Sequence, residues 1–297
     1  MQSSKKNKET LRRRQQINDE SNTQTNNNNI EINSVQEAKA SFEGCLKTLA
    51  DYYLFIDVTK KVIFYFILVT ILSIITEIVE LPRDWYIVQK HNIFNRFGTK
   101  IGWFWTCLLL CPFMWITSLV HNESHLKALY DQIRLIIATI GWYFWTNAFV
   151  KFEDQTGVCQ GLNNSSKIDC HSSGGKWIPG FDVSGHTFLL LYSILIISEE
   201  SFSFKNLPSK PRLTAINLPT GQTIKRFEQI TNFVQKNFIC LFLLHLLWDF
   251  QLIVTALYYH NFLQKFVGAL IAISCWAVTY RFWFVVGFPF LPIRREL

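Results

Sequence analysis

Long apolar stretches, separated by polar ones, constrain the fold of this chain more than any other feature. A helix crosses the roughly 30 Å hydrocarbon core of a bilayer with about 20 apolar residues. Five stretches come close to that length: residues 62–79, 101–120, 135–150, 237–259 and 266–280. A sixth, 186–198, is shorter, so it spans only if its helix extends through Glu199 and Glu200 or the bilayer thins locally. The pattern predicts an all-α polytopic membrane protein with about six transmembrane helices.

The first 60 residues have a different composition. Residues 1–34 are polar and Asn-rich, and they carry two basic clusters, at 5–8 and 12–14. Such a composition cannot bury a core, so we expect a disordered tail. Apolar residues recur at helical spacing over 35–59, which predicts an interfacial helix. The predicted organisation is therefore a basic cytosolic tail over residues 1–60 and a six-span membrane domain over residues 61–297.

Basic residues indicate which way the chain crosses the membrane. Six spans put both termini on one side, together with the Lys- and Arg-rich loop 201–236 and with Arg294 and Arg295. Cytosolic flanks of membrane helices are rich in Lys and Arg, so we predict that both termini are cytosolic. The formal charge of +7 fits such flanks better than a nucleic-acid site, because no surface of interleaved basic and aromatic residues is evident.

The hydrophilic loop 151–185 is then expected to lie in the lumen. Cys159 and Cys170 both fall in it, and an oxidising lumen favours a disulfide between them. Their spacing is not CxxC and no second pair matches it, which argues against zinc. Overlapping sequons make Asn163 and Asn164 candidate glycosylation sites.

Residues 181–190, FDVSGHTFLL, lie where this loop gives way to an apolar stretch. Ser184 can cap the helix that follows, and Gly185 lets a ligand approach its free N–H groups. With the His186 imidazole added, these groups make a candidate anion site, for which phosphate is an obvious ligand. The same residues also fit a capped helix with an interfacial His, and taken alone they favour that interpretation.

A second histidine is expected at the same membrane depth. If the fourth and fifth segments both cross, His186 and His260 emerge on one face, where two His can act as nucleophile and general acid. For His260 alone, an aromatic belt with Tyr258 and Tyr259 is the alternative. His245 lies four residues before Asp249, which predicts a structural contact on one helix side. We interpret Glu199 and Glu200 as a cytosolic helix end.

Three segments resemble the FIT (fat storage-inducing transmembrane) family: 181–190 with Glu199 and Glu200, 256–265 with Trp276 and Thr279-Tyr280, and 105–113, WTCLLLCPF. The resemblance covers roughly residues 60–292. It implies a six-span protein of the endoplasmic reticulum that takes part in lipid-droplet biogenesis and ER lipid homeostasis. The family is related to lipid phosphate phosphatases, which implies a lipid-phosphatase-like helical core. Its members are acyl-CoA diphosphatases that cleave fatty acyl-CoA to acyl 4′-phosphopantetheine and adenosine 3′,5′-bisphosphate.

The two catalytic His of the family match His186 and His260. By analogy with the phosphatases, His260 would attack phosphorus and His186 would protonate the leaving group, without a cofactor or a metal. The phosphate-clamping element of the phosphatases is missing, and position 264 is Gln where they keep an Asp that orients the nucleophile. Ser184, Gly185, Asn261 and Lys265 are candidate substrate-binding residues. For Asn261 and Lys265, anchoring at the lipid interface is the alternative.

A second function from another class fits the same residues. The aromatic-rich spans and the missing phosphatase residues also fit a non-catalytic protein that binds diacylglycerol or triacylglycerol and partitions it into droplets. Both hypotheses expect membrane lipids as partners, and neither expects nucleic acid.

Overall fold

The computed structural model describes most of the chain, namely residues 37, 39–82, 84–89, 92–93, 95, 98–122, 124–160, 167–205, 207 and 220–284. The chain divides into two compact units, residues 1–49 and residues 50–297. Residues 39–54 form helix α1, within the stretch where an interfacial helix is predicted. Residues 1–36 of the predicted tail lie outside the described residues, so its disorder stays a prediction.

Among the described residues, six helices are long and apolar enough to cross a membrane. They are α2 (Val58–Ile78), α3 (Gly102–Asn122), α4 (His125–Thr156), α6 (Gly185–Lys205), α7 (Thr220–Tyr258), and α8 (Phe262–Trp276) together with the helical residues that continue it to Trp283. Helix α8 continues as a π-helical segment, Ala277–Trp283. The prediction of an all-α, multi-pass membrane protein is confirmed.

The helices extend further than the apolar stretches that predict them. The polar residues 121–134, between the second and third apolar stretches, are largely helical, because α3 runs to Asn122 and α4 begins at His125 with Ser124 as its N-cap. The predicted polar loop 201–236 is wrong for much of its length, since α6 continues to Lys205 and α7 begins at Thr220. Hydropathy detects only the part of a helix that lipid surrounds, so polar turns beyond it are not predicted.

Helix α6, the short fourth segment of the sequence, is long enough to cross. Its 21 residues span about 31 Å at the usual helical rise of 1.5 Å per residue. It packs against α2, α3, α4, α7 and α8. Every residue from Thr187 to Ser201 is buried, as expected for a helix that neighbours cover on all sides. Helix α6 is therefore the central element of the bundle.

A small folded insert connects α4 to α6. Strands β1 (Val158–Gln160) and β2 (Lys176–Ile178) pair antiparallel, with the short helix α5 (Lys167–Ser172) between them. Cys159 and Cys170 are bonded to each other, with their Cα atoms 5.7 Å apart. A Cβ on Gly175 would lie 2.7 Å from the Cys159 sulfur, so only glycine lets the chain pass the disulfide there. The Asn163 and Asn164 sequons lie outside the described residues.

The starts of α6 and α8 are held together by backbone contacts. The Ser184 N–H donates to the Gln264 carbonyl at 3.1 Å. Asn261 caps α8 and forms a capping box with Gln264, in which each side chain accepts from the other residue's N–H. Gly268 lies so close to Ser184 that an added Cβ would be 2.7 Å from the Ser184 carbonyl oxygen. Two segments about 80 residues apart in sequence are thus fixed against each other.

We expect Gly268→Ala to lower the free energy of unfolding by about 1–3 kcal/mol, because α8 or the Ser184 turn must move to admit the methyl group. Gly44→Ala is the control, since nothing lies within 4 Å of its added Cβ and alanine favours a helix. Thermal unfolding of both variants in detergent measures the difference. Equal melting temperatures for the two variants would contradict the close contact.

Candidate functional site

The two candidate histidines lie at the end of the bundle where α6 begins and α7 ends. We call this end the mouth, and define it by Asn95, Asp182, His186, Tyr259 and His260. His186 is in the first turn of α6, and His260 lies between α7 and α8. The two imidazoles are close enough to interact electrostatically. The structure therefore brings together the two residues that the sequence analysis pairs.

His186 is held by groups from two other segments. Its Nε2 lies 3.0 Å from Oδ1 of Asn95, a buried residue whose N–H donates to Asn92 Oδ1. The ring of Tyr259 stacks near the imidazole, with the centroids 6.4 Å apart. No sequence pattern marks Asn95, because an Asn in a polar stretch has no spacing that identifies it as a histidine partner.

Tyr259 also fixes the loop that precedes α3. Its hydroxyl donates to the Val88 carbonyl at 2.8 Å. Burial raises the pKa of Tyr259, so the hydroxyl stays a donor. The Tyr259 ring and this hydrogen bond keep residues 84–89 at the edge of the mouth.

His260 has a backbone conformation that is rare for a side-chain-bearing residue, with φ of 56°. Its Nδ1 lies 3.3 Å from Gln264 Oε1 and 3.4 Å from Asp182 Oδ2. Gln264 stands where the phosphatases keep an Asp that orients the nucleophile, and its amide oxygen does reach the His260 imidazole. Asp182 is a second partner, which the sequence analysis does not identify although it belongs to the 181–190 motif.

Ser184 and Gly185 form the start of α6. Ser184 is buried, and its Oγ accepts from the Thr187 N–H at 3.3 Å, which makes it a helix cap. Nothing lies within 4 Å of the Cβ position of Gly185. A ligand can therefore approach the backbone at Gly185, whereas the Ser184 side chain is committed to the cap.

Asn261 and Lys265 are placed differently from each other. Asn261 is exposed, and its side chain accepts from the Gln264 N–H at 3.0 Å. Lys265 is fully buried, and its ammonium donates to the Ala256 carbonyl at 2.6 Å and to Thr76 Oγ1 at 3.1 Å. Its charge is enclosed by protein at the end of α7, and not open to a ligand at the mouth.

Lys100 is an exposed cation near His186 that the sequence analysis does not single out. It lies in the 3₁₀ turn Thr99–Ile101, directly before α3. This turn packs against α6, where a Cβ on Gly102 would lie 3.2 Å from Leu189 Cδ2. Lys100 is close enough to His186 for the two side chains to interact electrostatically. Among the described residues, no group of three or more His, Cys, Asp or Glu side chains could hold a metal ion.

The opposite end of α6 carries a buried ionic network. Arg134 contacts both carboxylate oxygens of Glu200 at 2.9 Å and Asp131 at 2.8 Å. Tyr280 donates to Glu200 at 2.8 Å, and Trp276 donates to Glu199 at 3.1 Å. Glu199 and Glu200, which the sequence suggests as a cytosolic helix end, do not end the helix, because α6 continues to Lys205 and both carboxylates are buried among charged and polar partners.

The predicted His245–Asp249 contact is confirmed, with Nδ1 and Oδ2 3.0 Å apart. His245 Nε2 lies 3.1 Å from Ser198 Oγ, so the three side chains follow the order of a hydrolase triad. Ser198 and His245 are fully buried, and the Lys61 ammonium lies 2.9 Å from the serine oxygen. Because Ser198 and His245 are fully buried and Ser198 Oγ already accepts from Lys61, we interpret the arrangement as a buried charge network.

The chain has clear relatives among known proteins. A family model described as "Fat storage-inducing transmembrane protein" matches residues 83–155 and 150–280. The chain is 38% identical over 255 residues to acyl-coenzyme A diphosphatase FITM2 of Caenorhabditis elegans, covering 86% of this chain and 89% of that protein. The FITM2 proteins of Xenopus tropicalis and Homo sapiens are 33% and 32% identical. These alignments cover 72% and 74% of this chain, and 78% and 81% of those proteins. No solved structure matches.

Removing one partner of the buried ion pair should be strongly destabilising. We expect Arg134→Gln to lower the free energy of unfolding by about 3–5 kcal/mol, because the Glu200 carboxylate loses its counter-charge. Adding Glu200→Gln should recover part of the loss. Lys167→Gln is the control, since its pair with Asp154 is half-exposed and contributes at most about 1 kcal/mol. If Arg134→Gln and the control have the same free energy of unfolding in detergent, the Arg134–Glu200 pair does not stabilise the fold.

Proposed function

Because the chain belongs to the fat storage-inducing transmembrane (FIT) family, we propose that it is an acyl-CoA diphosphatase. The substrate is a fatty acyl-CoA, and the products are acyl 4′-phosphopantetheine and adenosine 3′,5′-bisphosphate. The names of the relatives support this activity. The observation that carries it is the pairing of His186 and His260 at one mouth, each with a polar partner on one ring nitrogen.

In the proposed mechanism His260 is the nucleophile. The contacts at Nδ1 leave Nε2 to attack one phosphorus of the diphosphate, forming a P–N bond. The bridging P–O bond breaks, and the departing phosphate oxygen takes a proton from His186. Water then attacks the same phosphorus and gives its proton to His186, and the P–N bond breaks. Both histidines return to their starting states, so the cycle balances.

The mouth also supplies groups that can bind the diphosphate. The open approach at Gly185 exposes the start of α6, where N–H groups and the helix dipole favour an anion. Lys100, in the turn that packs against α6, adds an exposed positive charge close enough to His186 to interact with it electrostatically. We propose that Lys100 and the backbone at Gly185 bind the diphosphate oxygens, and that Asn261, exposed at the start of α8, contacts the substrate from the other side.

We further propose that the protein resides in the endoplasmic-reticulum membrane, with both termini cytosolic and the mouth facing the lumen. The Lys and Arg residues of the N-terminal tail and of the segment 201–236, which joins α6 to α7 and includes their polar ends, support this orientation. The Cys159–Cys170 bond, on the same side as the mouth, fits an oxidising lumen. The proposed role is lipid-droplet biogenesis and ER lipid homeostasis, with diacylglycerol and triacylglycerol among its membrane partners.

Purified His186→Ala and His260→Ala variants test the activity. Each should lower the rate of oleoyl-CoA hydrolysis by about 10²-fold or more, the usual contribution of a positioned acid or base. His171→Ala is the control, because His171 is exposed in α5 on the same side of the bundle. If both His variants hydrolyse oleoyl-CoA at the parental rate, the enzyme proposal is wrong, and neutral-lipid binding becomes the better account.

Lys100→Ala should raise KM for oleoyl-CoA and lower kcat/KM by about 10- to 100-fold, the range expected for loss of one charge-assisted hydrogen bond. Lys100→Arg should keep most of the activity, because the charge remains. Lys60→Ala provides the control, since Lys60 is exposed at the start of α2, at the other end of the bundle. Unchanged kinetics in Lys100→Ala would exclude Lys100 from substrate binding.

A further inference from the structure

We infer that Asp182 is the positioning carboxylate of His260, and that it acts from the other motif in place of an acidic residue at position 264. This inference rests on the proposed function, since it assigns a partner to the proposed nucleophile. A carboxylate on Nδ1 of a catalytic imidazole fixes the tautomer and stabilises the positive charge that the ring acquires. The structure assigns that part to a residue 78 positions before the histidine, by the numbering of Asp182 and His260.

Two oxygens lie close to the same ring nitrogen of His260. Gln264 Oε1 is 3.3 Å from Nδ1, and Asp182 Oδ2 is 3.4 Å away. Both oxygens are acceptors, so Nδ1 carries the proton and Nε2 keeps its lone pair for attack. Only Asp182 brings a negative charge. When phosphorus bonds to Nε2 the imidazole becomes cationic, and an amide cannot balance that charge as a carboxylate can.

Gln264 is committed to holding the backbone. Its Oε1 also accepts from the Asn261 N–H at 3.2 Å, which completes the capping box of α8. This cap fixes Asn261, the residue that follows His260. His260 itself has a positive φ, which is a strained conformation for a non-glycine residue. Positioning of His260 is therefore divided: Gln264 holds its backbone at the start of α8, and Asp182 supplies the charge on the ring.

The placement of Asp182 follows from contacts that do not involve its side chain. Two residues further on, the Ser184 N–H donates to the Gln264 carbonyl. The close approach of Gly268 keeps the same turn against α8. The Asp182 side chain is 49% exposed and that of His260 is 18% exposed. A bound substrate would exclude water from both groups and strengthen their attraction.

Two isosteric substitutions separate charge from shape. Asp182→Asn removes the charge, and we expect kcat for oleoyl-CoA to fall at least tenfold while KM changes less than threefold. Gln264→Glu places a carboxylate at the atom that already contacts Nδ1 and keeps the acceptor for the Asn261 N–H. The double variant Asp182→Asn/Gln264→Glu has the parental net charge, and it should recover at least a third of the parental kcat.

The double variant also controls for folding, because it carries the same Asp182→Asn change as the single variant. Glu80→Gln is the control for loss of an exposed carboxylate in the loop after α2, and it should keep the parental kcat. Parental kcat in Asp182→Asn, or a double variant no faster than Asp182→Asn alone, would overturn the inference. In either case loss of activity in His260→Ala would leave the proposed function standing, whereas full activity in His260→Ala would remove it.

Discussion

The structure depends on one backbone contact, the hydrogen bond from the Ser184 N–H to the Gln264 carbonyl. It joins the start of α6 to the start of α8, and the missing side chain of Gly268 lets the two backbones approach. A backbone contact of this kind tolerates substitution of the side chains around it while keeping His186 and His260 in register. Asp182 reaches His260 because this contact holds the turn that carries it.

Helix α6 connects this mouth to a charged layer at its other end. Burying a charged group costs free energy unless the group is paired. Here Glu200 is paired with Arg134. Lys61 and Asp249 are connected by a chain of hydrogen bonds that passes through Ser198 and His245. Tyr53 and Tyr65 donate to Asp249 as well. Burial, and then the Asp249 carboxylate, raise the pKa of Tyr53 and keep it a donor. The contacts at Ser198 and Glu200 fix the end of α6 opposite the mouth, where the contacts at Ser184 and Gly268 hold its start.

Counting spans was enough to predict that His186 and His260 share one end, because each apolar stretch reverses the direction of the chain. The length of α6 could not be predicted, since Glu199 and Glu200 look like a helix end unless Arg134 and Tyr280 are known to meet them. Lys265 is predicted to bind substrate because the sequence does not show that its ammonium donates to the Ala256 carbonyl. The partners Asn95 and Asp182 depend on tertiary contacts, and no local pattern marks them.

The central claim is that His260 attacks phosphorus, and mass spectrometry of the protein quenched during turnover of oleoyl-CoA tests it most directly. An acid-labile phosphoramidate on the peptide containing His260, absent from a His260→Asn variant, is the predicted result. An adduct on His186 instead, or parental turnover by the His260→Asn variant, would contradict the account.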